Sequence, residues 1–205
     1  MFVPTYYASA DARDIIRRYP FANVVTTANG VSLATSTPLV FETDARDEGR
    51  LVGHVALRNP HAEQLKCPRP VLAIFNGPSA YVSSRWYVDK PEVPTWNYLA
   101  AQIRGNLEPI ADIEGARAVL IRLIAVMERD AEKPWKIEDA EASVIARLLP
   151  QIMAFRIHTE SLHGAAKLSQ RHPTADRLRV ICGLLSESDA DGRELAKIMA
   201  QRHLP

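Results

Sequence analysis

The sequence predicts a mainly β, α+β domain: a Greek-key or split antiparallel barrel with peripheral helices. About six strand-like runs occur without the regular strand–helix alternation that builds a parallel sheet. Two of these runs meet at Asn29-Gly30, a pair suited to a type I′ hairpin because both positions tolerate positive φ. Helical patterns gather between the later strands and at the C-terminal end.

Taken in order, Ser9 is placed to cap a short helix over about 10–18, stopped by Pro20. FANVVTTANGVSLATSTPLVF is the hairpin. After the polar loop ETDARDEGR, RLVGHVAL is a third strand. Asn59 as N-cap and Pro60 as first helical residue open a helix to about Lys66. PVLAIFNG is a fourth strand, turned by Gly77-Pro78 so that SAYVS runs back across it. TWNYLAAQIRGNLEPI is a long strand with Gly105 at a bulge or bend. Asp112 caps a helix over 113–128, and a charged connector anchored by Trp135 leads to a helix over about 139–149 that ends at Pro150. IMAFRIHTESLHGAAKLSQ is the last strand, followed by helices over about 174–185 and 189–202. The whole, 1–205, is one domain with a helical extension over about 174–203.

With 47% apolar and 24% charged residues, the 205-residue chain can bury a substantial core. A net charge of +1 supplies no global basic field for nucleic acid. Cys67 and Cys182 have no pairing or zinc-site spacing and are expected to be buried free thiols. No metal site is expected, since His158 and His163 lie five apart on a strand and face opposite ways. The N-terminus has no signal-peptide pattern and no apolar run approaches a membrane span, so the expected location is cytoplasmic, away from membranes. Nucleophile elbows, phosphate-binding Walker loops and zinc-protease motifs are missing, and no residue is marked as catalytic.

Four features carry chemistry. Residues 81–98 hold five of the fourteen aromatics, Tyr81, Trp86, Tyr87, Trp96 and Tyr98, on a segment that Pro91 and Pro94 bar from forming a long helix. Such rings suit a planar ligand, a dimer contact or the cap of a barrel. In HVALRNPH, the helix start leaves the His61 and Ala62 amides for a phosphate, with His54 and Arg58 beside them. Equally, Asn59 is simply a helix cap. Ser36, Thr37 and Pro38 interrupt an apolar strand, marking a sheet edge or a ligand-lined position. Lys167 follows a strand in a small-residue context, as an anion partner or a plain surface cation.

The motifs MFVPTYY, STPLVF, GHVALRNPH, IFNGPSAYVSSRWY, VPTWNY and AAKLSQ occur in that order over essentially the whole chain. In this the sequence resembles the PaiB family of FMN-binding negative transcriptional regulators. The resemblance implies an FMN-binding split barrel, a homodimer with FMN at the subunit interface, and a set of flavin-binding residues. Ser36 and Thr37 fall on the strand expected to line the flavin, and His54, Arg58 and Asn59 fall near its phosphate. Thr95, Trp96 and Asn97 match PTWNY, and Lys167 matches KLSQ. Leu57 stands where many members carry a basic residue, and Arg171 stands where Asn often follows KLSQ.

Three functions are compatible with this set: a flavin-dependent regulator, a flavin oxidoreductase of the pyridoxamine-phosphate-oxidase-like class, and an FMN-carrying redox module. Direct DNA contact is not supported. Over 174–203, five basic residues stand against five acidic ones, and the connector SESDADG is longer than a helix-turn-helix turn.

Overall fold

The computed structural model describes residues 1–8, 12–43, 49–88 and 93–203. Ser9, most of the polar loop after the hairpin and Pro91 lie outside the described residues. Among the described residues, six strands, β1 (Phe21–Ala28), β2 (Val31–Thr43), β3 (Gly49–Ala56), β4 (Arg69–Val82), β5 (Thr95–Ile110) and β6 (Ile152–Lys167), follow the order β1-β2-β3-β6-β5-β4 in a closed barrel. The helices are α1 (Ala12–Arg18), α2 (His61–Leu65), α3 (Ile113–Met127), α4 (Ala142–Leu148), α5 (Thr174–Glu187) and α6 (Ala190–His203). The described chain divides into two compact units, residues 1–15, 76–101 and 163–205 in the first, and 16–75 and 102–162 in the second.

In the second unit, β1 and β2 pair along their whole facing length around Asn29 and Gly30, at φ 51° and 77°. These are the signs a type I′ turn needs. The β2 strand then changes partner: Val31–Pro38 pair with β1, and Leu39–Thr43 pair with β3. The Ser36-Thr37-Pro38 break therefore sits where one ladder hands over to the next, and the missing proline N–H costs no bond there. Residues of alternate parity, Leu39, Leu51, Phe155 and Ile157, are wholly buried on one face. On the opposite face Val40, Val52 and Ala154 pack beneath Ala116, Val119 and Leu123 of α3. Burying each such aliphatic side chain contributes about 1.5–3 kcal/mol. Asp112 caps α3 as expected, its Oδ1 accepting the Gly115 N–H at 2.6 Å. Gly105 is required by a close backbone approach, since a Cβ there would lie 2.0 Å from the His158 carbonyl oxygen.

The first unit is built on α5 and α6, whose Val180, Ile181, Leu184, Leu195, Ile198 and Met199 are buried. Asp176 on α5, also buried, accepts the Val88 N–H at 2.7 Å.

Four expectations need correction. Gly77-Pro78 does not turn the chain: β4 is one strand through Val82. Its burial alternation slips by one residue between Phe75 and Pro78, so the glycine absorbs a bulge-like phase change where a reversal was expected. The α2 helix starts one residue late, with Pro60 in the cap position, although Asn59 still supplies the capping oxygen. Cys67 and Cys182 are exposed. Finally, α5 and α6 are joined by Ser188 and Asp189 alone, because most of SESDADG is helical. The charge balance of that pair is unaffected.

Candidate functional site

In the second unit the expected site residues do not form one cluster. Thr37, 5% exposed, donates its hydroxyl to the His54 carbonyl at 2.6 Å, a side-chain link from β2 to β3 just beyond the end of their ladder. Ser36 faces the other way and donates to Asn23 Oδ1 across the hairpin at 2.8 Å. His54 is half-buried, and its Nδ1 is buried without a hydrogen-bond partner among the described residues. Burial holds its imidazole below the usual histidine range, so it is neutral at pH 7. Arg58 is exposed on a surface cavity of about 650 Å³ shared with Leu57, Leu148 and Pro150.

Asn59 works as a strut. Its Oδ1 accepts the His61 N–H at 2.9 Å and its Nδ2 donates to Thr35 Oγ1 at 3.1 Å. The Ala62 N–H is also taken, by the Asn59 carbonyl at 2.8 Å. The two amides expected to receive a phosphate are thus both engaged, and five-residue α2 is a cap held in place by its own asparagine. Behind it lies a network the sequence did not announce. His61, 2% exposed, sits between Thr35 Oγ1 (2.9 Å from Nδ1) and Thr26 Oγ1 (2.8 Å from Nε2), and Thr26 donates to Gln64 Oε1 at 2.7 Å. The available signal was parity: Thr26 and Thr35 occupy inward positions of β1 and β2, where a hydroxyl needs a partner.

In the first unit the family motifs interlock. Lys167, half-buried at the end of β6, hydrogen-bonds the Thr95 hydroxyl. Asn97 is fully buried (0% exposed), donating to Ser169 Oγ at 3.0 Å and reaching Met199 Sδ at 3.5 Å. Ser169 has φ 58°, a left-handed conformation that favours glycine or asparagine, and Asn97 is the partner that holds it. Gln170 closes the turn: its Oε1 accepts the Leu168 N–H at 2.7 Å, and its Nε2 donates to the carbonyls of Ala166 (2.7 Å) and Tyr6 (3.0 Å). Arg171 lies over the Tyr6 ring, 4.7 Å from its centroid, and so ties MFVPTYY to KLSQ. Ser169 and Gln170 were missed as positioning residues, since αL geometry at a serine leaves no mark in the sequence.

The Lys167 ammonium has a neutral hydroxyl as its partner, and no carboxylate pairs with it among the described residues. Burial holds its pKa below the usual lysine range. The aromatic block splits by role. Tyr87 is buried and stacks on His172 at 4.8 Å, and Trp86 donates to Glu187 Oε1 at 3.3 Å. Tyr81 (48% exposed) and Trp96 (55% exposed) meet edge to face at 6.3 Å on a surface cavity of about 350 Å³. Two rings are thus structural, while Tyr81 and Trp96 remain open to a ligand or partner.

Strand order, barrel closure and flanking helices define an α+β split-barrel protein. Two solved structures share the fold: an FAD- and heme-binding protein from Mycobacterium smegmatis (TM-score 0.58, 18% identity, 81% of this chain and 74% of that one), and the flavocytochrome Anf3 from Azotobacter vinelandii (TM-score 0.58, 15% identity, 80% and 72%). Residues 1–161 match the family described as "Putative FMN-binding domain". The chain is 31% identical over 205 residues to the Bacillus subtilis protease synthase and sporulation protein PAI 2, covering 98% of both. It belongs to this family of FMN-binding, PaiB-like proteins.

Proposed function

We propose that the protein is an FMN-binding negative regulator of transcription, a single cytoplasmic domain acting as a homodimer with one FMN per chain. The observation that carries the cofactor site is Lys167: a half-buried ammonium, fixed by Thr95 and by the Asn97–Ser169 turn, with no anionic partner among the described residues. A half-buried cation of this kind suits a phosphate. The orphaned His54 Nδ1 in the second unit supports a further polar contact. The family resemblance assigns Ser36, Thr37, His54, Arg58, Asn59, Thr95, Trp96, Asn97 and Lys167 to the flavin, which when bound supplies one- and two-electron redox chemistry. Similarity over nearly the full length to a protein named for protease synthase and sporulation supports the regulatory role. The balanced charge of α5 and α6 favours action through a partner over direct DNA contact. Among the described residues no helix is long and apolar enough to cross a membrane.

The test is an FMN titration followed in the visible spectrum, with mass by light scattering. The expected result is one FMN per chain, a particle of twice 22.8 kDa, and a loss of roughly tenfold or more in affinity for Lys167→Met, as a charge-assisted hydrogen bond of about 1.5–3 kcal/mol implies. Unchanged binding in both Lys167→Met and Asn59→Ala would remove the site, and a monomer with full flavin would remove the dimer.

A further inference from the structure

The register of the second unit collects charge at one edge of the face that α3 covers. Glu42 of β2 pairs with Arg50 of β3, and Arg50 pairs with His158 of β6, making one cross-strand row. The neighbouring row is Val40, Val52 and Arg156. The valines pack under α3, while Arg156 lines a cavity of about 480 Å³ together with Glu42, Arg50, Glu108 and Arg122 from α3.

Three guanidinium groups there face three carboxylates: Asp112 is taken up in capping α3, and Glu42 and Glu108 serve the arginines incompletely. Glu42, with a side chain 12% exposed, accepts from Arg122 Nε at 2.6 Å and from Arg50 Nε at 3.1 Å. Both arginines are thus engaged through Nε, and their terminal N–H forks have no partner among the described residues. Arg156 is less satisfied. Its Nε is buried without an acceptor among the described residues, and its Nη1 stands 3.8 Å from Glu108, beyond hydrogen-bond length. Glu108 is instead bonded to His158 Nε2 at 2.8 Å.

A buried guanidinium donor with no acceptor costs free energy unless something else fills the position. Planar forks of this kind match the oxygen pairs of phosphate and carboxylate groups. We propose that the cavity bounded by Arg50, Arg122 and Arg156 is a binding site for a compact oxyanion, the phosphate or carboxylate group of a small metabolite, separate from the residues assigned to the flavin. Glu42 holds two of the arginines in place, and Glu108, held by His158, leaves the Arg156 guanidinium open to the ligand.

The experiment is a thermal-shift and calorimetric titration of the full-length, FMN-saturated protein with inorganic phosphate and, separately, succinate, at constant ionic strength set with chloride. A saturable response to at least one anion is expected, with phosphate against succinate telling a phosphate ester from a carboxylate ligand. Arg122→Gln, at a largely exposed side chain, and Arg156→Met should each weaken it by roughly tenfold or more, while Arg202→Gln responds as the parent does. Circular dichroism checks that each variant is folded, and Arg122→Gln alone suffices if Arg156→Met is not. Absence of a saturable response to either anion would overturn the proposal. So would a response kept in Arg122→Gln, or one that the FMN-free protein shows and FMN saturation abolishes, which would place the anion at the proposed flavin site.

Discussion

Replacing Asn97 by alanine tests how the KLSQ turn is held. The side chain is fully buried, and its amide makes the 3.0 Å bond to Ser169 Oγ and the 3.5 Å contact to Met199 Sδ. Truncation strands the buried Ser169 hydroxyl, a cost of about 1–3 kcal/mol, and leaves an amide-sized void. It also removes the partner that keeps Ser169 at φ 58°. A total near 2–3 kcal/mol is expected, which for about 200 residues lowers Tm by roughly 4–12 °C. The assay is urea unfolding of the parent, Asn97→Ala, Ser169→Ala and the double variant. Since each single change already breaks the same bond, the double variant should be less destabilised than the sum by about 1 kcal/mol. A discrepancy within about 0.3 kcal/mol of zero would refute the idea that the two side chains act as one unit.

Gly105→Ala should destabilise by about 1–3 kcal/mol or more, because its Cβ would fall 2.0 Å from a backbone oxygen that cannot rotate away. A denaturation midpoint equal to the parent's would contradict that contact. Burial alone would raise the Glu42 carboxyl, but its bonds to Arg122 and Arg50 outweigh this and hold it below the ordinary glutamate value of 4.5. The folded state then favours the ionised form, so its stabilisation is present above pH 4.5 and is lost as pH falls through the lower folded value. The stability gap between parent and Glu42→Gln should accordingly be constant near neutrality and close in acid. A gap that widens in acid would show the sign to be wrong.

Much of the fold was legible because local chemistry and tertiary need agreed. Asn29-Gly30 demanded a hairpin and Asp112 demanded a helix start, and both are observed. The sequence misled where a residue with a strong local preference was overruled. Gly77-Pro78 has turn chemistry, yet the strand continues because the apolar alternation resumes at Pro78 and Ala80. SESDADG looks like a loop by composition, but Asp189 caps α6 by accepting the Gly192 N–H at 3.0 Å, which draws the following residues into the helix. At the site, pairing across long separations was invisible. Lys167 was marked by its motif, but its bond to Thr95, 72 residues away, depends on two strand ends that sequence spacing cannot relate.

The network behind α2 has a direction as well as a composition. Asn59 must turn its Oδ1 to the His61 amide, which leaves Nδ2 to donate to Thr35, and Gln64 spends its Nε2 on the Val31 carbonyl at 3.4 Å, which leaves Oε1 to accept from Thr26. Thr35 must then donate to His61 Nδ1, and His61 must carry its proton on Nε2 to donate to Thr26. Every proton in the chain points from residue 59 towards residue 64, so one imidazole tautomer is written into two amides at its ends. Tolerance at position 64 is therefore set by acceptor strength and not by size. Glutamate would preserve the polarity. Lysine, of similar length but a donor only, would force the sequence of bonds to reverse against an asparagine that cannot follow.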